Sequence, residues 1–557
     1  MAATAPSAIQ TPTLPISPTG GFGHHGVGSN DATVRAVVEC PENHQVIDEF
    51  LGVLDQIDPS VPRSDDLTMA LTAALSATND TAWKAEQFAH QSLKFEFQAS
   101  ILSGKDQIDF SPATLSLIIA LLHHGRICCL LLEDILISLR KSQLALARTD
   151  EAASTDQTRL VEAMACHNFL TEYLWEETDA ESADVARLVA KVSGNIEAGA
   201  EVSAFDLFLI GAYAPLHAVD AVRNWVRELG CCNLSALDPT LRLLVFDRLL
   251  EDETEIEAIT PVTSHISKKV QSQYEENPYP RWRRMPSFTE FEEVEAYVAA
   301  GTGQRQRRAT SNQQRAKVLI AGAGTGAHPI SVAQTLPHAA VLAVDLSRAS
   351  LAYATREAKA RGATNVAFAQ ADILKLSDVD VEFDLIESVG VLHHMEDPEA
   401  GLQALLKVLK PGGYLRLALY SKAARHAVNA ARNYYSADKY APGLTGIRAF
   451  RRDLIHTDDP ALVPLQTIPD FFAASEFRDL VMHVQEHQFT LLQIDGMLKR
   501  NGLEFLGFSS PSAHSALRKM PAKMAQRRER DLDAWDKYEQ RNPDTFIRMY
   551  DFFCMKR

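Results

Sequence analysis

A short apolar strand that runs into a glycine-rich loop is the feature that most constrains the fold of this chain. The run Val318–Ala321 is followed by Gly322, Gly324 and Gly326, and a helical pattern begins after them. Glycine lets a backbone turn sharply and approach a ligand without a Cβ in the way. A second apolar run ends in Asp345, 19 residues after Gly326, close to the spacing at which an acidic side chain binds ribose hydroxyls. The pattern predicts a site that holds a nucleoside.

Strand and helix patterns alternate from about residue 315 onwards, and this alternation is typical of a parallel α/β sheet. The strands are predicted at 316–321, 340–345, 365–369, 383–388, 413–419, Leu503–Phe508 and Tyr550–Met555. The helices are predicted at about 328–336, 348–361, 399–409, Thr490–Asn501 and Arg527–Gln540. We therefore expect an α/β domain over 313–557, interrupted by an insert at 421–500. The insert follows the fifth strand, where it is either a lid over the substrate or a surface excursion.

The chain before this domain has a different composition and a different pattern. Residues 1–35 are rich in Ala, Pro, Thr, Ser and Gly, so we expect a disordered tail. Residues 40–265 carry apolar side chains at helical spacing and predict a separate all-helical domain. That domain either docks a partner or substrate, or stabilises its neighbour and forms a homo-oligomer. Residues 266–312 are a junction with closely spaced prolines that ends in the polar, linker-like stretch Gly301–Gln314.

Charge and cysteine content exclude several classes of protein. The net charge is −17, and an acidic surface repels phosphate backbones, so nucleic acid is not an expected partner. The basic run Arg305–Arg308 is interpreted as a solvated linker. Seven cysteines without a CxxC pair argue against a disulfide framework or a thiolate zinc site. The apolar stretch Leu115–Leu139 is interrupted by charges, and we find no signal peptide, so we expect a cytoplasmic protein without a membrane partner.

Five short motifs follow one another in the second half of the chain. They are Val318-Leu-Ile-Ala-Gly-Ala-Gly-Thr-Gly326, Val344-Asp-Leu-Ser347, Ala371-Asp-Ile373, Phe383-Asp-Leu-Ile-Glu-Ser-Val-Gly-Val-Leu-His-His394 and Leu409-Lys-Pro-Gly-Gly-Tyr-Leu415. In this order and spacing they resemble the class I S-adenosylmethionine-dependent methyltransferases. The resemblance implies a Rossmann-like, seven-stranded α/β sheet whose last strand is antiparallel, next to the separate N-terminal all-helical domain.

The resemblance also implies which residues contact the cofactor, S-adenosylmethionine. The glycine loop lies against its methionine part, Asp345 accepts hydrogen bonds from the ribose, and Asp372 binds the adenine amino group. Glu387 and Ser388, at the end of the fourth strand, border the transferred methyl group. The full set is Gly322, Ala323, Gly324, Gly326, Asp345, Leu346, Asp372, Ile373, Glu387 and Ser388.

One position departs from the family pattern. Members usually carry an acidic residue two positions before the first glycine, where it helps to hold the ammonium end of the cofactor. This chain has Ile320 there. The expected substitutes are backbone carbonyls of the glycine loop, Glu387, or the junction folded over the site.

The junction contains an Asn-Pro-Tyr-Pro-Arg-Trp element at 277–282. The whole chain is similar to a bacterial type in which a helical or tetratricopeptide-like region leads through such an element into the methyltransferase. Prolines stiffen the segment and aromatic rings exclude water. The resemblance implies either an active-site cap or a wedge between domains, formed by Tyr274, Tyr279, Arg281 and Trp282.

Two histidine motifs lie near the expected acceptor end of the site. His393 and His394 follow the fourth strand, where they act as a general base or order the loop. The segment His483–His487 has the HxxEH spelling of a metalloprotease helix, but no third ligand is evident. We interpret that segment as packing or pocket lining and predict no metal.

These observations predict a methyltransferase that uses S-adenosylmethionine and modifies an oxygen or nitrogen nucleophile. The acceptor belongs to a protein, a peptide or a small metabolite. Two alternatives remain: a protein that binds the cofactor without turnover, which Ile320 favours, and a nucleotide-dependent oxidoreductase, which the Pro411–Gly413 turn opposes.

Overall fold

The protein is described by a computed structural model. The described residues are 27–557 except 42, 61–62, 77–81, 103–109, 150, 234–236, 286–287, 304–314, 437, 442 and 521–528. Most of the predicted tail, the basic run Arg305–Arg308 and most of the predicted linker therefore lie outside the described residues. The tail boundary expected at residue 35 falls inside helix α1 (Val27–Glu39), because Val34 and Val37 are buried among other helices.

The region before the junction is helical, as predicted. Its helices are α1, α2 (His44–Val53), α3 (Asp65–Ser76), α4 (Ala82–Leu102), α5 (Pro112–His124), α6 (Leu130–Leu146), α7 (Thr155–Leu170), α8 (Asp179–Glu197), α9 (Ala204–Gly211), α10 (Asp220–Asn233), α11 (Pro239–Leu241) and α12 (Asp247–Asp252). A π-helical stretch joins α11 to α12. One apolar core lies mainly among α1–α6 and a second mainly among α7–α12. Capping boxes at Ser154 and Thr178 fix where α7 and α8 begin.

The second half of the chain forms the predicted seven-stranded sheet. Its strands are β1 (Lys317–Ala321), β2 (Ala340–Asp345), β3 (Val366–Gln370), β4 (Phe383–Val389), β5 (Leu409–Tyr420), β6 (Leu503–Phe508) and β7 (Met549–Lys556). The spatial order is β3-β2-β1-β4-β5-β7-β6. β7 is antiparallel to both of its neighbours, which confirms the expectation for the last strand. β5 begins earlier than predicted because Leu409 pairs with Phe383 before a register shift.

Helices and apolar residues cover both faces of this sheet. The junction contributes α13 (His265–Glu276) and α14 (Val294–Thr302), and the α/β domain contributes α15 (Ala327–Thr335), α16 (Arg348–Ala360) and α17 (Pro398–Val408). After the insert come α21 (Leu491–Arg500), α22 (Pro511–Arg518) and a last helix at Leu532–Glu539. In the part of the chain that the structure describes, no helix is long and apolar enough to cross a membrane.

The insert forms a small helical subdomain between the α/β sheet and the helical domain. Its helices are α18 (His426–Tyr434), α19 (Leu444–Ile455) and α20 (Ala474–Met482). Their apolar faces share one core, and Leu174 of the helical domain is buried in it. The insert leaves and rejoins the sheet at one point, where Ser421 pairs with Phe489. The helical domain, the insert and the sheet are therefore packed together.

Candidate active site

A cavity of about 310 Å³ lies at the carboxyl ends of β1 to β4. Ligands of open α/β sheets bind at this edge, and the volume is in the usual range for small-molecule sites. Most of the residues predicted to contact the cofactor line it: Gly322, Ala323, Gly324, Gly326, Asp345, Leu346, Asp372 and Ile373. Helix α13, the junction and the insert complete the walls.

The glycine loop is held on two sides. The Gly322 N–H donates to the Val344 carbonyl at 2.8 Å, and the Gly324 N–H donates to Asp345 Oδ2 at 2.8 Å. Gly324 has a φ of 50°, and a Cβ there would lie 2.8 Å from the Tyr279 carbonyl oxygen. A side chain at this position would therefore push the loop away from the junction.

Asp345 ends β2 with both carboxylate oxygens in use and with room for more partners. Its Oδ2 accepts the Gly324 N–H, and its Oδ1 accepts the Ser347 N–H at 2.9 Å. Burial raises the pKa of Asp345, whereas these backbone N–H groups oppose the rise. Each oxygen of an ionised carboxylate accepts about two hydrogen bonds. The carboxylate thus keeps acceptor capacity beside the glycine loop, which suits a ribose hydroxyl.

Asp372 carries an unsatisfied acceptor at the cavity wall. Its Oδ1 accepts the Leu374 N–H at 3.1 Å, and its backbone N–H donates to Thr260 Oγ1 at 2.7 Å. Its Oδ2 is buried and has no hydrogen-bond partner among the described residues. A buried acceptor without a partner is costly. An exocyclic amino group in the cavity would satisfy it, so this wall fits an adenine.

Glu387 and Ser388 are not among the residues that line the cavity. Glu387 is fully buried, and its Oε2 accepts from Arg416 Nη1 at 3.2 Å and lies 2.6 Å from His328 Nε2. Burial opposes the ionisation of Glu387, but the Arg416 charge and the His328 hydrogen bond prevail and lower its pKa to about 2. His328, which does line the cavity, stands between this carboxylate and the ligand space.

The position of Glu387 bears on the unusual residue at 320. Ile320 is buried in the core beside the sheet, and in the parallel register it pairs with Glu387 on β4. Residues paired in this way point to the same face of a sheet. Glu387 therefore lies one strand away from the position where the family pattern places a carboxylate, and it contacts the cavity-lining His328.

A cluster of polar side chains forms the other end of the cavity. Tyr274 donates to Asp479 Oδ1 at 2.7 Å, and Tyr420 donates to Asp479 Oδ2 at 3.3 Å. Burial, together with the nearby Asp479, raises the pKa values of both phenols well above the ordinary range. His394 Nε2 lies 3.9 Å from Asp479 Oδ1. Asp479 belongs to α20 of the insert, so the insert contributes directly to the cavity.

Of the two predicted catalytic histidines, only His394 lines the cavity. Its Nδ1 lies 2.8 Å from the Gln485 carbonyl oxygen. A carbonyl can only accept, so Nδ1 carries the hydrogen and Nε2 of the neutral ring carries the lone pair. Burial lowers the pKa of His394 although Asp479 opposes the shift. His393 is fully buried, and it stacks on Tyr420 with ring centroids 3.8 Å apart.

His483 is the third titratable group near Asp479. Nitrogen and oxygen atoms of His394, Asp479 and His483 lie within 4.8 Å of one another. The Gln485 N–H donates to His483 Nδ1 at 3.1 Å, so Nε2 of the neutral ring carries a hydrogen and has no lone pair for a metal. This arrangement is a hydrogen-bond network rather than a ligand set. Helix α20 ends at Met482, so the HxxEH segment is not helical.

The junction closes over the glycine loop. The Thr325 N–H donates to the Tyr279 carbonyl at 3.3 Å, and Trp282 Nε1 donates to the Thr325 carbonyl at 3.1 Å. Tyr274 and Tyr279 line the cavity, whereas Arg281 and Trp282 do not. Trp282 instead holds the outer side of the loop. Of the four predicted cap residues, Tyr274 and Tyr279 thus face the ligand space, whereas Arg281 and Trp282 support the junction from outside the cavity.

The lining residues that sequence reasoning missed include His328, Tyr420 and Asp479. Tyr420 directly follows the fifth predicted strand, 413–419, so a rule that residues at strand ends line the site finds it. His328 lies two residues after Gly326, in the first turn of α15. Asp479 is in the middle of an insert helix, with no local pattern that distinguishes it from a surface acid.

Residues 312–449 match a family model described as a methyltransferase domain. The chain is 33% identical over 152 residues to trans-aconitate 2-methyltransferase of Deinococcus radiodurans, a match that covers 27% of this chain and 54% of that protein. It is 31% identical over 205 residues to an uncharacterized protein of Synechococcus sp., covering 35% of this chain and 49% of that protein. The chain thus spans about half the length of these curated relatives.

Among solved structures, PKMT2 from Rickettsia typhi in complex with AdoHcy is 20% identical to this chain. The match has a TM-score of 0.38 and covers 49% of this chain and 56% of that chain.

Proposed function

We propose that this chain, whose residues 312–449 match a methyltransferase-domain family model, is a class I S-adenosylmethionine-dependent methyltransferase that transfers a methyl group to a nitrogen or oxygen nucleophile. The observation that carries the proposal is the pair of acceptors at the ends of β2 and β3. Asp345 keeps acceptor capacity beside the glycine loop. Asp372 presents a buried oxygen without a partner. Together they match a ribose diol and an adenine amino group.

The cofactor's methionine end is assigned to the glycine loop and to His328. The loop places backbone groups at the cavity without intervening side chains, and His328, which is hydrogen-bonded to Glu387, lies at the same wall. When bound, S-adenosylmethionine supplies an electrophilic methyl group on a sulfonium. The protein then has to position the acceptor in line with that methyl group and exclude water. Tyr274 and Tyr279 line the ligand space and exclude water there.

The charges along the cavity favour a neutral or cationic acceptor. The described lining residues include the carboxylates of Asp345, Asp372, Glu396 and Asp479, and no lysine or arginine. Four carboxylates create a negative potential that repels anions and attracts cations. We therefore favour an amine or a hydroxyl acceptor over a carboxylate or a phosphate. The acceptor binds beside Asp479, which is already bonded to two phenols and can orient an N–H or O–H donor.

His394 is the base of the proposed reaction. As the acceptor atom bonds to the methyl group, the carbon–sulfur bond breaks and the acceptor must lose a proton. His394 Nε2 carries a lone pair because Nδ1 donates to the Gln485 carbonyl. The lowered pKa keeps the ring neutral and ready to accept that proton. His393 is a positioning residue, since its stacked ring supports Tyr420.

Titration calorimetry with S-adenosylhomocysteine, the demethylated product, tests the cofactor assignment. We expect saturable heat and no competition by a nicotinamide dinucleotide. Tighter binding of the dinucleotide would favour the oxidoreductase alternative. A homo-oligomer through the helical domain stays a prediction, and it is tested separately by light scattering of the full chain.

A further inference from the structure

Helix α20, which carries Asp479 into the cavity, has no N-cap of its own. Its N-cap residue is Ala473, and no side chain of the insert caps it. The first amide groups of a helix need external acceptors. Here the helical domain supplies them: the Ala474 N–H donates to the Thr171 carbonyl at 3.1 Å, and the Ser475 N–H donates to Glu172 Oε2 at 2.5 Å. The acceptors come from more than 300 residues upstream.

The loop that supplies this cap, residues 171–173, is strained. Glu172 has a φ of 57° and Tyr173 a φ of 59°, a region that side chains other than glycine rarely adopt. Among the described residues these are the only non-glycine positions with positive φ. Backbone strain of this kind persists where the surrounding structure requires it, and it clusters at functional sites. The geometry here turns the Glu172 carboxylate towards α20.

The same carboxylate also holds the opposite wall of the cavity. Glu172 Oε1 lies 3.4 Å from Arg281 Nε, with both side chains 11% exposed. Arg281 follows Tyr279 and Pro280, whose carbonyls accept hydrogen bonds from Thr325 of the glycine loop. One side chain therefore contacts two segments: the junction that closes the cofactor loop, and the helix that carries Asp479.

We infer that Glu172 couples the two ends of the active site, so that cofactor binding orders the helix that orients the acceptor. The inference rests on the proposed function. It means that the helical domain, through Glu172, positions residues of the active site. Glu172 acts as a positioning residue, because it lines neither the cavity nor the position of the reacting atoms. Coupling of this kind is reciprocal, so a bound acceptor would also tighten the cofactor loop.

Hydrogen exchange of the full-length protein, with and without saturating S-adenosylhomocysteine, measures this coupling without knowledge of the acceptor. The readout is the exchange rate of peptides that cover 473–483. In the wild type we expect the ligand to slow exchange there by about fivefold or more, the lower end of typical coupling between sites. In Glu172→Asn, which tolerates the positive φ but is too short to reach Ser475, the ligand should change the rate by less than about twofold.

Two further variants separate coupling from simple bracing. Glu172→Gln keeps the length and an acceptor oxygen but removes the charge that pairs with Arg281, so an intermediate response is expected. Glu177→Gln is the matched control: Glu177 pairs with Arg448 of the insert at 3.2 Å, in the same domain interface and beside the same loop, since Arg448 also donates to the Tyr173 carbonyl. It should respond to the ligand like the wild type.

Each outcome bears on one claim. Ligand binding with equal slowing of exchange in wild type and Glu172→Asn would overturn the coupling role, as would ligand binding without any slowing in the wild type. Loss of slowing in Glu177→Gln as well would reduce Glu172 to one of several interdomain braces. If Glu172→Asn fails to fold, the Glu172→Gln comparison decides. Absence of calorimetric heat in the wild type would instead overturn the proposed function, and the coupling with it.

Discussion

Replacing Asp345 with asparagine should weaken S-adenosylhomocysteine binding by about two orders of magnitude. The native carboxylate already accepts N–H groups from Gly324 and Ser347, one on each oxygen. The amide replaces one oxygen with a donor, so that atom loses a ribose hydroxyl and faces a backbone N–H. The remaining oxygen keeps its bond to the ligand without the charge.

The magnitude follows from these changes. A hydrogen bond to a charged group contributes about 1.5–3 kcal/mol, and a neutral one about 1 kcal/mol. Losing one bond to the ligand and the charge assistance of the other costs about 3 kcal/mol, which is about 100-fold in the dissociation constant. Calorimetry of wild type and variant at one ionic strength gives the ratio directly.

Asp384→Asn is the matched control. Asp384 also accepts a backbone N–H, from Lys317 at 2.8 Å, and it pairs with Lys410 at 2.7 Å, but it lies at the amino end of β4, away from the cavity. Its substitution should leave the affinity unchanged. An Asp345→Asn variant that folds and binds S-adenosylhomocysteine with a dissociation constant within about twofold of the wild-type value would refute the assignment of the ribose to Asp345.

Three other perturbations follow from the site and the core. Gly324→Ala should lower the cofactor affinity at least about tenfold. The new Cβ would lie 2.8 Å from the Tyr279 carbonyl oxygen, and a left-handed φ costs a residue with a side chain about 1–2 kcal/mol. An unchanged calorimetric affinity would contradict this. His394→Gln should lower the transfer rate by about 10²-fold or more and leave the cofactor affinity intact. The wild-type rate should stay constant as the pH falls through 6.5, because the His394 pKa is lowered. A rate that halves at pH 6.5 would show that His394 has an ordinary histidine pKa. His167, buried and accepting the Ile127 N–H, has a pKa lowered by burial to about 3. It therefore contributes stability that is complete above pH 6.5 and is lost as pH falls from 6.5 towards 3, by at most about 5 kcal/mol; urea unfolding should show a flatter pH dependence in His167→Gln.

The sheet could be predicted from the sequence because its signals are local. Each strand is a short apolar run, and several of the predicted cofactor contacts lie at or just after a strand end, as Asp345 ends β2 and Asp372 lies two residues after β3. Since parallel strands place their carboxyl ends at one edge, chain order alone brings these side chains together. The antiparallel last strand followed from the family resemblance and is confirmed by its register with β5.

The acceptor end could not be predicted, because it depends on contacts between distant segments. Asp479 lies on α20, whose first amide groups bond to Thr171 and Glu172 of the helical domain. Nothing near Glu172 in the sequence marks it as a partner of Ser475. The pairing of Ile320 with Glu387 follows from strand register, and the contact of Glu387 with His328 follows from the packing of α15 against the sheet edge, so sequence spacing shows neither. The histidine pair was predicted as a unit, but burial separates His393 from the cavity.

Transfer of a labelled methyl group is the most direct test of the central claim. The full-length protein is incubated with S-adenosylmethionine labelled in its methyl group and with a cell lysate separated into proteins and small molecules. We expect label in one fraction with the wild type, and about 10²-fold less with His394→Gln. With the cofactor well below its dissociation constant, Asp345→Asn should also transfer about 10²-fold less label. A protein that binds S-adenosylhomocysteine, yet transfers no label to any fraction across pH 6 to 9, would contradict it and identify a cofactor-binding protein without turnover.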